Sequence, residues 1–273
     1  YKMNNGVNNF LDATGKVLEV APKLYDDLLQ PTVKETGKAL SLIPKSVNAV
    51  LSPIRQWIAN KEFNIAETEK LLAYKLENIS PDKIVQPESY VAVPALQAIS
   101  YSMDNKELRE LYANLLAKSM NVDTKDSVHP AFVEIIKQLS PSDAILLKKL
   151  SDTEDLSFAI IKLRLEKSSS NNEGIDWIHH IINNNFGIDV SNYNQYAVSL
   201  ENLQRLQLIS IDYSNSLADE YDYEYKEIEN NEIVNHFKKI SYYINEKYSF
   251  FRCKRGILKI TNLGKEFISI CVN

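Results

Sequence analysis

The stretch ESYVAVPALQAISYSMDNKELRELYANLLAKSMNVDTKDSVHPAFVEIIKQLSP, residues Glu88–Pro141, carries the strongest structural signal in this sequence. Asp104 is a good helix N-cap, and Glu107 stands three residues later, as in a capping box. The apolar residues that follow repeat with helical spacing: Leu108, Leu111, Tyr112, Leu115 and Leu116. This spacing places them on one face of an amphipathic helix. The stretch therefore predicts a helix from about Asp104 and a second apolar segment entered through His129-Pro130.

Helices are also expected on either side of this stretch. There is no glycine between Gly37 and Gly174, a pattern that favours helices joined by short loops. Ser140-Pro141 predicts another helix start, because proline is tolerated at the first helical position. Asp143 falls in the first turn of that helix, where a negative charge meets the helix dipole favourably.

The last third of the chain mixes helical and β signals. A polar run at 168–172 predicts a loop, and residues 196–208 repeat leucine with helical spacing. Residues 209–213 alternate as a strand does, and 257–261 form a second β-rich run before a final helix at 265–272. This order of helix, strand, excursion, strand and helix is typical of a winged-helix module.

The sequence therefore predicts a mainly α-helical protein. Residues 1–36 are expected to be a helical lead-in segment, and 37–139 a helical domain. Residues 140–273 are expected to form a winged-helix-like domain with a small β-hairpin.

Two strings resemble the bacterial abortive-infection alpha family. They are LRELYANLLA at 108–117 and VHPAFVEIIKQLSP at 128–141, and weaker similarity extends back to about Gly37. Members of this family are associated with defence against phages. The resemblance implies a role in abortive infection, in which infected cells stop growing or die before phage is released. It supplies no catalytic residues for this chain.

Charge and cysteine content restrict the location and the partners. The chain has a formal charge of −5 and only two cysteines, which fits a reducing cytoplasm better than a secreted, disulfide-stapled domain. Residues 140–273 carry 15 basic and 19 acidic side chains, so this half offers little for phosphate. A cytoplasmic protein is expected, with membrane association as an alternative. The expected partner is a protein or a second copy of the chain, and nucleic acid is not expected.

A tyrosine-rich acidic run between Asp219 and Glu232 is the first candidate partner surface. It can be read as a solvated wing or loop, or as a surface on which tyrosines supply rigid contact area. The candidate contact residues are Tyr221, Tyr223 and Tyr225.

The apolar segment 37–58 is the second candidate surface. It could be a core helix broken at Pro44 and Pro53, a helix lying on a membrane surface, or a membrane span. Core or oligomer packing is favoured, because two internal prolines and three interspersed cations oppose a stable span. The residues that would face the core, a partner or the membrane are Leu40, Ile43, Val47, Val50, Leu51, Ile54 and Trp57.

No catalytic, cofactor-binding or metal-binding residues are predicted. The four histidines lack metal-ligand spacing, and His129 is expected to cap or pack locally at a helix entry. Asp212 with Glu224 and Lys226 resembles the carboxylate–lysine pattern of metal-dependent nucleases only loosely. The predicted function is a non-enzymatic phage-defence protein that acts through protein contacts, with membrane perturbation as a further route. The alternative is a winged-helix nucleic-acid-binding regulator or a cryptic nuclease.

Overall fold

The computed structural model describes residues 71–273, except 103–104, 154, 168–172, 245–247 and 249. The chain divides into two compact units. The helical unit comprises the residues up to Gln138 together with Ser269–Asn273, and the sheet unit comprises Leu139–Ile268. The lead-in 1–36 and the apolar segment 37–58 lie outside the described residues.

The described part of the helical unit starts with helical residues 71–76. Its further helices are α1 (Ser89–Ser102), α2 (Lys106–Ser119) and α3 (Ala131–Lys137). Short 3-10 turns at Pro81–Lys83 and Lys125–Ser127 lie between them. The helices bury their apolar faces together, with Tyr112, Leu115 and Phe132 at 1% exposure or less. The C-terminal residues pack here too, because Asn114 Nδ2 donates to the carbonyl of Cys271 at 2.8 Å.

The helix predicted from the opening stretch is confirmed as α2. The predicted cap is wrong by one residue: the N-cap is Asn105 rather than Asp104, and its side chain accepts from Leu108 N, so Leu108 and not Glu107 stands at the third helical position. The expected local role of His129 is confirmed as well. Its Nδ1 accepts from Ala131 N at 3.1 Å, and its ring lies 5.9 Å from that of Phe132.

The sheet unit begins with α4 (Pro141–Ser151), and this predicted helix start is confirmed. Ser140 Oγ accepts from Asp143 N, and Asp143 Oδ2 accepts from Ser140 N, which closes a capping box. The remaining elements follow in chain order: β1 (Ser157–Glu166), β2 (Gly174–Ile181), a 3-10 turn (Asn184–Phe186), α5 (Tyr193–Arg205), β3 (Ile209–Asp212), a 3-10 turn (Asp219–Tyr221), α6 (Asp222–Glu229), α7 (Glu232–Ile244), β4 (Phe250–Ile260), α8 (Asn262–Phe267) and a π-helical turn (Ile268–Val272).

The prediction of a mainly α-helical protein with a winged-helix-like C-terminal domain is wrong. The strands form a curled four-stranded antiparallel sheet in the order β2-β1-β4-β3. β1 pairs with β4 along its whole length, from Ser157 opposite Lys259 to Glu166 opposite Phe250. The protein is therefore mixed α and β. In place of the predicted small β-hairpin, it has a sheet of four strands.

Three features of the sequence conceal this sheet. Central β1 joins two patterns, a continuous apolar run at 158–161 and an alternation of apolar and charged residues at 161–166, so neither pattern covers the whole strand. The run 257–261, predicted as a short strand, is the end of the 11-residue β4. The acidic run expected to be a wing instead forms α6 and the start of α7, and Arg255 of β4 pairs with Asp222 and Glu229 of α6 at 2.6 and 2.8 Å.

Candidate functional site

An open cleft of about 440 Å³ lies within the sheet unit. It is bounded by the end of α4, the start of β1, the turn after β2 and one face of α6. Its volume falls within the range of small-molecule and peptide-side-chain pockets. The residues that line it are Lys149, Asp152, Thr153, Asp155, Phe158, Ala159, Asn183, Asn185, Phe186, Tyr223, Glu224 and Glu227.

The cleft combines an aromatic floor with an acidic wall. The rings of Phe158 and Phe186 meet edge to face at 5.7 Å between centroids. The wall carries four carboxylates against the single ammonium group of Lys149. Tyr223 stands at the edge with 63% of its surface exposed. The cleft therefore presents negative charge and aromatic surface together.

The ammonium of Lys149 is already engaged by the fold. Its Nζ donates to the carbonyl of Phe186 at 2.5 Å and to the hydroxyl of Tyr196 at 3.1 Å. The backbone at Gly187 passes close to this ammonium group. A Cβ at Gly187 would lie 3.1 Å from Nζ, and the φ of +69° also favours glycine there. Lys149 thus ties α4 to the turn after β2 and to α5.

Two of the carboxylates are held in place by hydrogen bonds. Glu224 accepts from Ala159 N at 3.4 Å, and Glu227 accepts from Asn183 Nδ2 at 2.8 Å. The charge of Glu224, with smaller contributions from burial and from Asp155, raises the pKa of the Tyr223 phenol. The four carboxylates of the lining make the electrostatic potential at the edge of the cleft negative, and the direction of this pKa shift agrees with it.

A second polar cluster lies where β2 bulges. Ile161 is opposite Ile181 and Leu163 is opposite Ile178, so His179 and His180 together face the single residue Lys162. His180 has φ +63°, a left-handed conformation that is uncommon for a residue with a side chain. Bulges re-aim side chains in this way. Here the bulge turns His180 toward Tyr213.

Tyr213 lies across the sheet to meet this histidine. Its hydroxyl contacts both the backbone N and the ring Nδ1 of His180 at 3.1 Å. Lys162 Nζ lies 4.7 Å from the centroid of the Tyr213 ring and 2.5 Å from Asp176 Oδ2. A Cβ on Gly256 would come within 2.5 Å of Tyr213 Cδ1, so the ring requires a glycine beneath it.

Burial decides what this cluster can do. It lowers the pKa of His180 to about 4, with smaller contributions from His179 and Lys162, so the ring is neutral at pH 7. The Tyr213 hydroxyl accepts from the backbone N–H of His180 and shares a second hydrogen bond with ring Nδ1, whose direction is set by the tautomer of the neutral ring. Only 10% of the His180 side chain is exposed. The cluster therefore holds the sheet together and offers a substrate little access.

The three candidate tyrosines occupy different environments. Tyr221 and Tyr223 are exposed, at 39% and 63%, and Tyr223 lines the cleft. Tyr225 is buried at 1%. Its hydroxyl donates to the carbonyl of Gly256 at 2.8 Å and accepts from Leu217 N at 2.9 Å. The candidate residues from Leu40 to Trp57 fall outside the described residues.

The residues of the nuclease alternative have separate partners. Asp212 accepts from Ser214 N and Asn215 Nδ2 at 2.7 Å each, whereas Glu224 faces the cleft. Lys226 pairs with Asp222 at 2.7 Å. Within the part of the chain that the structure describes, no group of three or more His, Cys, Asp or Glu could hold a metal ion. The adjacent histidines, His179 and His180, lie in β2.

A family model for abortive infection alpha matches residues 60–271, which is well over half of the chain. The chain belongs to the abortive infection alpha family. The matched region of this family member includes the cleft and the His180–Tyr213 cluster. No curated protein matches the chain.

One solved structure is similar to part of this family member. It is an uncharacterized protein from the hydrocarbon-degrading marine bacterium Alcanivorax borkumensis SK2. The similarity covers 52% of this chain and 92% of that chain, at 19% identity and a TM-score of 0.34. Among the helices of the described residues, none has both the length and the apolar character needed to cross a bilayer.

The sequence pointed to Tyr223 and to the acids of α6 but missed the opposite side of the cleft. That side is formed by Lys149, Asp152 and Asp155, at the end of α4 and the approach to β1. The available signal was the acidic turn SDTED at 151–155, directly after a capped helix. This turn indicates a cleft only once β1 is known to be a strand, because β1 places the turn opposite α6.

Proposed function

We propose that this protein takes part in defence against phages by abortive infection, and that it acts through contacts with other proteins rather than through catalysis. The observation that carries the first part is the family match over residues 60–271. That match includes the described residues of both the helical unit and the sheet unit up to residue 271, so the proposed role belongs to both.

Exposed aromatic surface supports the second part. Tyr74 and Tyr90 of the helical unit are 71% and 57% exposed, and Tyr223 of the sheet unit is 63% exposed. Tyrosine is enriched at protein interfaces, where it supplies contact area at little entropic cost. Tyr223 also stands at a preformed cleft, which gives a partner a defined place to dock.

The test is the growth of cells that express the protein against a panel of phages, at low and high multiplicity of infection. Abortive infection predicts survival at low multiplicity and collapse of the culture at high multiplicity. The control strain carries the same vector with the reading frame stopped. Protection at both multiplicities would instead indicate direct interference with the phage, and protection against no phage would remove the support for a defence role.

Membrane perturbation through segment 37–58 remains a second proposed route. The observation that favours it is the apolar sequence of the segment, with Trp57 near its end. Charged substitutions at Val47 and Val50 should abolish any loss of membrane potential during infection. Unchanged depolarisation in these variants would exclude the route through this segment.

A further inference from the structure

We infer that the cleft of the sheet unit binds a lysine- and arginine-rich segment of a partner protein. This inference rests on the proposed action through protein contacts and specifies the chemistry of the partner. It is carried by three observations: an open cavity, an unbalanced acidic wall and an aromatic surface at its floor and edge.

The charge of the wall is only partly compensated from within the cleft. Lys149 directs its hydrogen bonds to Phe186 and Tyr196 but keeps its positive charge, which offsets one of the four carboxylates. Asp152 pairs with Lys148 at 2.9 Å, which offsets one carboxylate from outside the lining. The remaining carboxylates that face the cleft belong to Asp155, Glu224 and Glu227.

These three carboxylates suit a cationic side chain. Glu224 Oε2 accepts from Ala159 N and Glu227 Oε2 accepts from Asn183 Nδ2, and the Glu224 carboxylate also contacts the hydroxyl of neighbouring Tyr223. A carboxylate has lone pairs on both oxygens, so each retains capacity for a further donor. Guanidinium and ammonium groups make charge-assisted hydrogen bonds to such oxygens, and guanidinium can do so with two parallel bonds.

The aromatic surface suits the rest of a lysine or arginine side chain. The floor formed by Phe158 and Phe186 gives the methylene stem an apolar surface, as long cationic side chains prefer. The exposed ring of Tyr223 can receive the cationic head on its face. A cleft with only carboxylates would attract cations, but this one also favours cations that carry an apolar stem.

The same features select a protein segment over other occupants. Phosphate groups of nucleic acids and anionic lipid headgroups would be repelled by the wall that raises the pKa of Tyr223. A second copy of this chain carries a formal charge of −5, which opposes self-association through an acidic surface. A basic segment of a different protein is the occupant whose charge complements the cleft.

Peptide binding to the full chain tests the inference. The probe is a fluorescent ten-residue peptide of alternating arginine and glycine, compared with the same peptide in which citrulline replaces arginine. Asp155→Asn/Glu227→Gln removes two charges from the cleft, and the amide oxygen introduced by the second substitution can still accept from Asn183. The matched control, Glu173→Gln/Glu266→Gln, removes two exposed carboxylates of the sheet unit that do not line the cleft.

The arginine peptide should bind the wild type in a salt-sensitive manner, and the citrulline peptide should not. The cleft variant should bind roughly 3- to 30-fold more weakly, the range expected for two partly solvated ion pairs. The control variant should bind within about twofold of wild type, the scatter expected of distant surface substitutions. Equal weakening in both double variants would overturn the inference, because it would indicate attraction by net charge alone.

Two further outcomes would also overturn it. One is the absence of arginine-peptide binding at low salt. The other is displacement of the peptide by spermine at equal charge concentration, which would assign the cleft to small polycations. Failure of the proposed defence function can be distinguished from failure of this inference. In that case cells with the wild-type protein would lack phage protection, whether or not the peptide binds. Loss of protection in the cleft variant, with protection kept in the control variant, would link the cleft to defence.

Discussion

The hydroxyl of Tyr213 lies 3.1 Å from both the backbone N and the ring Nδ1 of His180. Tyr213 directly follows β3, and His180 belongs to β2, although these strands are the two opposite edges of the sheet. Only a curled sheet brings them together. The side chain of Tyr213 therefore links the two edge strands, β2 and β3, across the two central strands β1 and β4.

Removing this hydroxyl should destabilise the sheet unit. Tyr213→Phe keeps the ring over Gly256 but leaves the half-buried N–H of His180 without its acceptor. An unsatisfied buried donor costs about 1–3 kcal/mol, so the free energy of unfolding should fall by about that amount in urea denaturation. Tyr223→Phe is the matched control, because an exposed phenol should change stability by less than about 0.5 kcal/mol. Equal effects of the two substitutions would contradict the bridge.

His180 should make the stability of the protein depend on pH. Burial lowers its pKa in the folded state to about 4, whereas an unfolded histidine titrates near 6.5. Between these values the unfolded chain binds the proton and the folded chain does not. The stability that the protein gains by burying neutral His180 is therefore fully present above about pH 6.5 and is lost as the pH falls toward 4. The loss should amount to roughly 1–3 kcal/mol.

Urea denaturation at half-unit intervals from pH 4.5 to 7.5 measures this dependence. His180→Asn should flatten the curve, since asparagine tolerates a left-handed backbone and does not titrate there. His236→Asn, which removes an exposed histidine, should leave the curve as in the wild type. A curve that is unchanged in the His180 variant would assign the pH dependence to other groups.

The parts of the fold that the sequence predicts are those set by local interactions. The capping box of Ser140 and Asp143, the apolar face of α2 and the alternation of β3 all depend on residues within one or two turns. β1 is different, because its pairing with β4 joins residues that are far apart in the sequence, from Glu166 opposite Phe250 to Ser157 opposite Lys259. Lys162 and Arg164 place two cations in this central strand, where both pair with Asp176 of β2 and Lys162 also lies against the ring of Tyr213.

The same distinction explains the partial prediction of the site. If the acidic run is taken as a loop, nothing in the sequence predicts which of Tyr223 and Tyr225 is exposed. On a helix, residues two positions apart point to opposite sides, so α6 exposes Tyr223 and buries Tyr225. The opposite side of the cleft comes from α4 and β1, which reach α6 only through the sheet. No local pattern contains that information.

The cap at Ser140 should contribute measurably to the stability of α4. Ser140→Ala removes the oxygen that accepts from Asp143 N at 3.2 Å. Loss of such a cap costs about 0.5–2 kcal/mol, and this decrease should be visible in chemical denaturation. Ser140→Thr keeps a hydroxyl at the same position and should recover most of the loss. If threonine and alanine proved equally destabilising, the side-chain cap would not be the source.

The contact between Gly256 and Tyr213 predicts a coupled pair. Gly256→Ala places a Cβ about 2.5 Å from Tyr213 Cδ1 and 2.7 Å from the carbonyl of Asp212, so overpacking should cost about 1–3 kcal/mol. Tyr213→Ala is also destabilising, because it removes the bridge to His180. In the double variant the ring clash is absent while the clash with the Asp212 carbonyl persists. The double variant should therefore lose about 0.5–2 kcal/mol less unfolding free energy than the sum of the losses in the two single variants. A double-variant cycle measured by urea unfolding checks this, and strict additivity would show that the tyrosine ring is not what requires glycine at position 256.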